Sequence, residues 1–310
     1  MRPFVLPRRL RRDPCWLSDT AIPVNVSVII LTYNSEATIA ATLASARRVS
    51  DDIHVVDDRS TDRTAEIARS VGANVIEHPF EDYGAQRNWA IATLALKHDW
   101  ELHLDADERL SDALIDELNA LEPAPSEAVA GYYIPRIVHF LGRPIRHGGM
   151  FPIWHLRLFR RSAGRCETRA YDQHFYVEGR TRKLKATIID DHRMGLSEWT
   201  ARHNRWADAE ADEQVAPRNG GVVRGRIFGN PIEKKRALRG IYNRFPMFLR
   251  PFLLFFYRYI LRLGFLDGKE GLIFFVLQAF WFWFLVDAKI YERRMAPARR
   301  GTAGSDIPER

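Results

Sequence analysis

Carboxylates are concentrated in Asp105-Ala106-Asp107-Glu108, a stretch that directly follows a short apolar run. In that run, residues 100–104, Trp and Leu alternate with polar residues, which predicts a β-strand. The strand delivers the carboxylates to its carboxyl end, the edge at which open α/β sheets bind ligands. Asp105 and Asp107 offer the hard oxygen ligands that suit Mg²⁺ or Mn²⁺ already bound to phosphate. Acidic surface turns carry the same spacing, so a solvated turn is the open alternative.

Two further predicted strands also end in polar residues. Residues 26–31 form a near-continuous apolar run, typical of a strand buried on both faces of a parallel sheet, and the run stops at Thr32-Tyr33-Asn34. The second strand, at residues 53–56, is followed by Asp57-Asp58. Because the carboxyl ends of parallel strands meet at one edge of a sheet, these residues are predicted to line one crevice with the acidic stretch. There an aspartate can bind a uracil or a ribose, and Tyr33 can cover the base.

Helix signals fill the gaps between these strands. Ser35 and the segment Ser60-Thr61-Asp62 are suitable helix starts, and Gly72 is a suitable stop. The resulting order of strand, helix, strand, helix, strand predicts an α/β fold with a Rossmann-like nucleotide-binding sheet and flanking helices. The predicted elements are a helix from Ser35 to about Arg48, a helix from Ser60 to about Ser70, a strand at residues 74–77, and helices over residues 83–96 and 112–121.

The pattern changes after the Pro-containing loop at residues 122–126, because strand signals then follow one another without helices. We therefore divide residues 23–216, the predicted catalytic region, into a nucleotide-binding half at 23–126 and an acceptor half at 127–216. The predicted strands of the acceptor half are Gly131–Phe140, Ile153–Arg160, Tyr171–Val177 and Leu184–Ile189; an amphipathic helix from Ser197 to about Val215 follows, and then a glycine-rich linker at residues 217–229.

Charge is unevenly distributed along the 310 residues, although the formal net charge is only +7. Residues 1–22 carry five Arg against two Asp and are predicted to be a basic tail, whereas residues 218–310 carry 18 basic against seven acidic side chains. Such asymmetry indicates contact with nucleic acid or with an anionic membrane. The two cysteines cannot form a disulfide framework, which favours a reducing cytosolic compartment.

The C-terminal region, residues 217–300, combines these cations with aromatic and aliphatic runs. Residues 245–266 are rich in Phe, Leu and Tyr but are interrupted by arginines, and Gly271–Val286 is an uncharged run of 16 residues. Since a spanning helix needs about 20 apolar residues, the pattern favours in-plane or re-entrant helices on an anionic membrane surface. A buried helical pair or a homodimer interface is the alternative. Residues 301–310 are predicted to be a disordered tail.

The motifs taken in order resemble those of glycosyltransferase family 2. They read IILTYNSEATI, VVDDRSTDRTAEIA and LHLDADER in this chain. The branch of the family that extends lipopolysaccharide cores and exopolysaccharides also has segments similar to HPFEDYGAQRNWA, FLGRPIRHGG, LRLFRR and the apolar C-terminal stretch, so the resemblance covers roughly residues 25–290. It implies a GT-A fold with additional C-terminal amphipathic and hydrophobic helices.

The resemblance also implies roles for individual residues. Asp58 would bind the nucleoside beside Thr32 and Tyr33, and Arg87 would lie near the diphosphate. Asp105 would contact the ribose or the metal, and Asp107 the metal itself. The structural alternatives are that Arg87 is a surface helix residue and that Asp57 and Asn34 only cap a helix and shape a turn.

An inverting transfer needs a general base to accept the proton of the acceptor hydroxyl. In similar lipopolysaccharide enzymes this role falls to the glutamate of a His-Glu pair, where this chain has Gln173 within Ala170-Tyr171-Asp172-Gln173-His174. Asp172 is the nearest residue that can do this chemistry and is the predicted base. His174 and the cluster Asp190-Asp191-His192 are the alternatives.

The combined prediction is an inverting, divalent-metal-dependent enzyme that uses a nucleotide sugar, expected to be a UDP-sugar, and a lipid-linked glycan acceptor. It would be peripheral on the inner face of the plasma membrane. A nucleotidyltransferase is less favoured because no Gly-rich phosphate loop follows the first strand. A non-enzymatic nucleic-acid binder is also less favoured, because the C-terminal cations are interleaved with long aliphatic and Trp runs and the predicted pocket is acidic.

Overall fold

The computed structural model describes residues 25–121, 129–161, 163–169, 172–216 and 222–302. The predicted tail at residues 1–22 and the loop at residues 122–126 lie outside these ranges. So do residues 303–310 of the predicted C-terminal tail and residues 217–221 of the predicted linker.

One mixed sheet forms the centre of the described chain, with the spatial order β3-β2-β1-β4-β8-β6-β12-β5 and with β7 and β11 also paired to β6. A separate antiparallel pair is formed by β9 and β10. The strands are β1 (Val26–Thr32), β2 (Asp52–Asp57), β3 (Asn74–Glu77), β4 (Trp100–Asp105), β5 (Glu108–Leu110), β6 (Val129–Phe140), β7 (Arg143–Pro144), β8 (Ile153–Arg160), β9 (Gly164–Cys166), β10 (Phe175–Val177), β11 (Arg180–Lys183) and β12 (Ile188–His192).

Strands β1 to β4 form the parallel part of the sheet, as the apolar runs predict. The β1 side chains Val28, Ile29 and Ile30 are fully buried, and burying each such side chain stabilises the fold by about 1.5–3 kcal/mol. The register pairs Thr32 with Asp57 and Leu31 with Asp105. The polar ends of these three strands therefore lie side by side at one edge.

Strand β8 inserts between the parallel strands and the acceptor half. It runs antiparallel to both β4 and β6, with Leu102 of β4 opposite Leu158. Because the directions are opposed, the first half of β8 lies beside the carboxyl end of β4. The two halves of the catalytic region thus share one continuous sheet, and β8 can deliver side chains to the acidic edge.

Nine helices flank or follow the strands in the described chain. Several begin later than predicted. The Ser35 hydroxyl donates to the Tyr33 carbonyl at 3.0 Å instead of capping a helix, and the second helix starts where Asp62 accepts the Thr64 N–H at 2.9 Å. The helices are α1 (Ile39–Ala46), α2 (Thr64–Ser70), α3 (Tyr83–Thr93), α4 (Asp112–Asn119), α5 (Leu196–Val215), α6 (Pro231–Tyr242), α7 (Arg250–Phe256), α8 (Gly268–Phe275) and α9 (Phe282–Thr302).

The predicted strand Leu184–Ile189 is wrong in its bounds. The chain forms β11 before this segment and β12 across its end, with a break between them. The break has a specific cause, because the Glu117 carboxylate of α4 accepts the backbone N–H groups of Lys185 and Ala186 at 2.8–3.0 Å. Strand β10 is likewise shorter than the predicted strand Tyr171–Val177.

Helix α6 follows directly after the predicted linker, within the region predicted to be helical, but was not predicted as a separate helix. Its start is a capping box, in which the Asn230 side chain accepts the N–H of Glu233 at 2.9 Å and the Glu233 carboxylate accepts the N–H of Asn230 at 2.8 Å. Pro231 occupies the first helical position, where no N–H is needed. The segment Asn230-Pro231-Ile232-Glu233 carried this signal in the sequence.

The C-terminal segment is helical from Gly264 to Met295, and its 32 residues are long and apolar enough to cross a membrane by length and composition alone, a test that buried core helices also pass. Much of it packs on the protein. Phe275 and Phe282 are fully buried, and a cluster that includes Phe282 and Val286 packs against α5. The buried Asp287 of α9 accepts from Arg250 Nε at 2.9 Å and so joins α9 to α7.

The predicted fold class is confirmed: the chain has an α/β fold in which a Rossmann-like mixed sheet is flanked by helices and followed by amphipathic and hydrophobic helices. Strands from both sides of the sequence-based division at residue 126 belong to one sheet.

Candidate active site

The edge formed by β1, β2 and β4 contains the predicted nucleotide-binding residues. Thr32 is buried and donates its hydroxyl to Asp57 Oδ1 at 2.8 Å, and Asp57 also accepts the N–H of Ser60 at 2.8 Å. Thr32 therefore supports the loop after β2, and Asp57 organises the start of the following turn. Tyr33 comes next and is 61% exposed, so its ring is free to cover a flat ligand at the edge.

Asp58 lies at the end of the same loop and is only partly buried. Its Oδ1 accepts the N–H of Phe80 at 2.9 Å, which fixes the side chain between β2 and the segment before α3. Asn34 braces the opposite side, where its Oδ1 accepts the N–H of Thr61 at 2.8 Å. Asp58 is thus oriented by the fold and keeps acceptor capacity for a ligand.

Asp105 is held by two arginines from different elements. Its Oδ1 accepts from Arg87 of α3 at 2.9 Å and its Oδ2 accepts from Arg157 of β8 at 2.7 Å. Burial opposes ionisation, but the charges of Arg157 and Arg87 hold the pKa of Asp105 well below its usual range. Asp105 is therefore a permanent carboxylate that fixes both guanidinium groups at the edge.

A deeper ionic network supports this arrangement. The fully buried Glu108 accepts from Arg157 at 2.7 Å and from the Asp105 backbone N–H at 3.0 Å. Arg136 lies 3.0 Å from Asp190 and 3.5 Å from Glu108. Burial and the neighbouring carboxylates raise the pKa of Glu108 to about 7. Glu108 is thus the carboxylate of this group that can hold a proton near neutral pH, but it lies too deep to reach a substrate.

Helix α3 positions Arg87 by packing closely on the segment after β9. A Cβ at Gly84 would lie 2.2 Å from the Glu167 carbonyl oxygen, so a side chain at this position would displace the helix. One turn along, the Asn88 amide pairs with both backbone polar groups of Cys166 at 2.8 and 2.9 Å. These contacts place the Arg87 guanidinium near the ring of Phe175, with 5.1 Å from its central carbon to the ring centroid. Arg87 is therefore buried beside Asp105 and is not a surface helix residue.

Asp107 differs from Asp105 in its surroundings. Its side chain is 23% exposed, and its Oδ2 lies 3.9 Å from Arg202 of α5. The Asp107 carbonyl accepts the N–H of Asp191 at 3.0 Å, which joins this turn to β12. Asp107 is therefore a partly exposed carboxylate in the turn that follows β4.

The residues present fit a divalent metal that is bound by one protein carboxylate. Within the described ranges, His, Cys, Asp and Glu side chains form no group of three or more that could hold a metal ion unaided. Mg²⁺ commonly takes one or two carboxylates and completes its shell with phosphate and water, which suits Asp107. The second predicted ligand, Asp105, has an arginine on each of its oxygens, so a metal there would have to lie beside two guanidinium cations.

Asp172, the predicted base, is surrounded by cations. It lies 2.6 Å from Lys235, 3.4 Å from Arg236 and 4.0 Å from Arg239, all on α6. Burial would raise its pKa, but Lys235 above all holds the pKa well below the usual range. So strong an acid is poorly suited to keep a proton taken from a hydroxyl group. The geometry therefore argues against Asp172 as the base and favours a positioning role.

His174 lies next to this carboxylate, with 3.4 Å between its Nε2 and Asp172 Oδ1. Burial and the charge of Lys235 lower its pKa below 6.5, so its imidazole is neutral at neutral pH. Its ring centroid is 6.3 Å from that of His155 on β8, two residues before Arg157. His174 thus connects the α6 cations with the arginines at the acidic edge.

Two groups of functional residues were missed from the sequence. Arg157 lies within the motif LRLFRR, between the buried Leu156 and Leu158. Because side chains alternate along a strand, this position indicated a charged side chain on the other face of β8. Lys235, Arg236 and Arg239 were assigned to the membrane-associating region, because nothing in their spacing indicated a partner some 60 residues earlier.

Residues 27–161 match the protein family described as Glycosyl transferase family 2. Over 93 residues the chain is 42% identical to an uncharacterised glycosyltransferase of Rickettsia typhi, a match that covers 30% of this chain and 31% of that protein. Over 284 residues it is 26% identical to the lipopolysaccharide core biosynthesis glycosyltransferase LpsC of Rhizobium meliloti, with 88% of this chain and 94% of LpsC covered. The chain therefore matches about a third of the Rickettsia relative's length.

Among solved structures, the chain is similar to S. aureus TarS in complex with UDP-GlcNAc, at 15% identity and a TM-score of 0.44, with 88% of this chain and 92% of TarS covered. It is also similar to glucosyl-3-phosphoglycerate synthase of Mycobacterium tuberculosis in complex with Mn²⁺, UDP and phosphoglyceric acid, at 15% identity and a TM-score of 0.39, with 66% and 82% covered.

The different surroundings of the two aspartates predict different effects on metal binding. With uridine diphosphate present, Asp107→Asn should weaken Mn²⁺ binding on the order of tenfold or more, because it removes the carboxylate that faces the edge. Asp105→Asn should affect Mn²⁺ less but should lower the thermal stability, since it leaves Arg87 and Arg157 without their shared partner. Calorimetric titration and thermal denaturation measure the two effects. Equal Mn²⁺ affinities for the wild type and Asp107→Asn would exclude Asp107 as a ligand.

Proposed function

We propose that this chain, which belongs to glycosyl transferase family 2, transfers a sugar from a nucleotide-sugar donor, expected to be a UDP-sugar, to a lipid-linked glycan acceptor with inversion. The similarity to LpsC supports an acceptor of the lipopolysaccharide or exopolysaccharide type. The observation that carries the proposal is the alignment of Thr32, Asp57 and Asp105 at the carboxyl ends of adjacent parallel strands.

In this proposal, Asp58 accepts hydrogen bonds from the nucleoside and Tyr33 covers the base. Arg87 lies where a diphosphate would meet the edge, held there by Asp105. A divalent metal, Mg²⁺ or Mn²⁺, would be held by Asp107 and would supply charge neutralisation for the departing nucleotide. Arg157 keeps the carboxylate and Arg87 in one fixed arrangement, so that little reorganisation is needed when charge develops.

His174 is the base that the geometry supports best. A neutral imidazole can accept the proton of an acceptor hydroxyl as the sugar carbon is attacked. Asp172 lies close enough to orient the ring and to stabilise it once it is protonated. The position of Gln173 is consistent with this shift of roles, because its side-chain amide donates to the Arg169 carbonyl at 2.6 Å and has no carboxylate with which to act as a base.

We also propose that the enzyme is peripheral on the inner face of the plasma membrane. The contact surface lies on α7 and the following turns, where Phe252, Phe256 and Leu261 are 53%, 54% and 61% exposed. Exposed Arg262 and Lys269 lie in the same segment and suit an anionic surface. This surface lies within the predicted segment at residues 245–266 but does not include Phe282 of the run Gly271–Val286, which is buried against α5.

A panel of nucleotide sugars tests the proposed reaction. Incubated with Mn²⁺, the full chain should hydrolyse or transfer from one nucleoside diphosphate sugar much faster than from the others, and Asp58→Ala should weaken binding of that nucleotide. Product release is measured by chromatography and binding by calorimetry. Turnover of none of the donors, together with unchanged nucleotide affinity in Asp58→Ala, would refute both the activity and the position of the site.

The base assignment predicts a pH dependence. Because the pKa of His174 is lowered from 6.5, the rate should be constant at neutral pH and should fall only below pH 6.5, as the imidazole is protonated. Asp172→Asn removes the negative charge that opposes this lowering, so it should move the acid limb to still lower pH. His174→Gln should reduce kcat by about 10²–10⁴-fold.

The matched control for these variants is Glu178→Gln, an exposed carboxylate in the same hairpin region. Circular dichroism and nucleotide affinity should be unchanged in all three variants. If Asp172→Asn loses as much kcat as His174→Gln while binding nucleotide normally, the carboxylate is the base after all.

The membrane proposal predicts flotation with liposomes that contain anionic lipid. Each exposed Phe that enters the interface contributes about 1.5–3 kcal/mol, so high salt alone should release little protein. The double variant Phe256→Glu, Leu261→Glu should float at least threefold less, whereas Leu196→Glu, Val215→Glu, which alters exposed apolar residues of α5, should float normally. If the wild type stays at the bottom of the gradient as a homodimer, the exposed surface is a subunit interface.

A further inference from the structure

A second cavity, distinct from the acidic edge, lies between α3 and the segment around β9. Its volume is about 800 Å³, within the range of about 300–1,000 Å³ usual for small-molecule sites. Three arginines line it: Arg160 and Arg161 at the end of β8, and Arg165 of β9. The first two complete the motif LRLFRR, of which the active-site arrangement uses only Arg157.

The three arginines are held by backbone carbonyls rather than by carboxylates. Arg160 donates to the Val129 carbonyl at 3.1 Å, Arg161 to the Leu96 carbonyl at 2.9 Å and Arg165 to the Gly164 carbonyl at 2.6 Å. Each contact uses one nitrogen of a guanidinium group that carries five N–H donors. The arginines are thus oriented by the fold while most of their hydrogen-bonding capacity remains available.

The acidic side chains of the cavity do not cancel this charge. Asp99 is exposed, and its backbone carbonyl, not its carboxylate, accepts the N–H of Arg161 at 2.9 Å. Glu167 is buried, and its carboxylate accepts from Arg236 at 2.7 Å and from the Val223 N–H at 3.1 Å. The guanidinium groups of the cavity therefore outnumber its unpaired carboxylates.

We propose that this cavity binds an anionic saccharide, that is, a sugar that carries a phosphate or a carboxylate group. Planar guanidinium groups recognise both anions through paired hydrogen bonds. The remaining lining suits the sugar, because Tyr176 supplies a partly exposed aromatic ring and Thr168 an exposed hydroxyl. A bare anion would use only the arginines.

The cavity is separate from the acidic edge, which is called the donor edge below because the nucleotide sugar is proposed to bind there. Only one side chain lies between the two. Cys166 forms part of its lining, and its buried thiol contacts Arg87. Asn88, another lining residue, immediately follows Arg87 on α3 and is bonded to the Cys166 backbone. A ligand in the cavity would therefore lie behind the arginine that binds Asp105, not on the donor edge itself.

Calorimetric titration of the full chain tests the proposal with glucose 6-phosphate, glucuronate, glucose and inorganic phosphate as probes. Glucose 6-phosphate and glucuronate should bind, glucose should not, and inorganic phosphate should bind more weakly than glucose 6-phosphate. Because each charge-assisted contact is strong, Arg161→Gln and Arg165→Gln should each weaken binding about tenfold. The control Arg47→Gln, an exposed arginine after α1, should leave it unchanged.

Uridine diphosphate affinity, measured on the same variants, separates this site from the donor edge. It should be the same in the wild type, Arg161→Gln and Arg165→Gln. If the anionic sugars do not bind, or if they bind these variants as tightly as the wild type, the site is refuted. Equal affinities for inorganic phosphate and glucose 6-phosphate would overturn the saccharide assignment. Competition between glucose 6-phosphate and uridine diphosphate would place the sugar at the donor edge instead and would equally refute the cavity.

Discussion

The buried guanidinium group of Arg157 is the group on which the rest of the acidic edge depends. It is 4% exposed and bridges the partly exposed Asp105 and the fully buried Glu108, so these two carboxylates can lie close together because a cation lies between them. Removing one partner of such a buried pair typically costs about 3–5 kcal/mol. The same bridge fixes Asp105, which in turn orients Arg87. The position of β8 therefore determines where Arg157 lies, and Arg157 in turn determines the orientation of Asp105 and Arg87.

A second cluster of charges, around Asp172, follows the same rule: neighbouring cations again keep a buried carboxylate ionised. Three cations of α6 meet a carboxylate whose backbone has a positive φ of 57°, a conformation that aspartate adopts more readily than most residues other than glycine. The surplus of cations makes Asp172 a stable anion and leaves the neighbouring neutral imidazole as the better proton acceptor. The position of a carboxylate in a motif therefore does not decide its role, because the surrounding charges set its acidity.

Much of the architecture could be predicted from local patterns. The apolar runs located β1, β2 and β4, and their polar ends located Thr32, Asp58 and Asp105, because a buried parallel strand and the residue that ends it are adjacent in sequence. The interruption between β11 and β12 could not be predicted, since it depends on Glu117 from a distant helix. The contacts of the α6 cations with Asp172 could not be predicted either, because they join residues about 60 positions apart. The capping box at Asn230 would nevertheless have located their helix. The apolar C-terminal run was correctly predicted to be helical, but its packing was not predicted. Composition alone does not tell whether Phe282 packs against α5, as it does, or contacts lipid.

The antiparallel insertion of β8 also bears on the order in which this chain can be assembled. When the ribosome has released the segment up to β5, Asp105 and Glu108 are already present, but Arg157 is some 50 residues away and still unmade. Arg87 can already pair with Asp105, but burying Glu108 without Arg157 is costly, so this part of the edge is expected to stay hydrated until β8 docks. The nucleotide-binding half is therefore not a self-sufficient folding unit, despite its Rossmann-like order of elements. Completion of the first half waits for the second, and the long-range pairing of β4 with β8 is expected to be a late and slow step of folding.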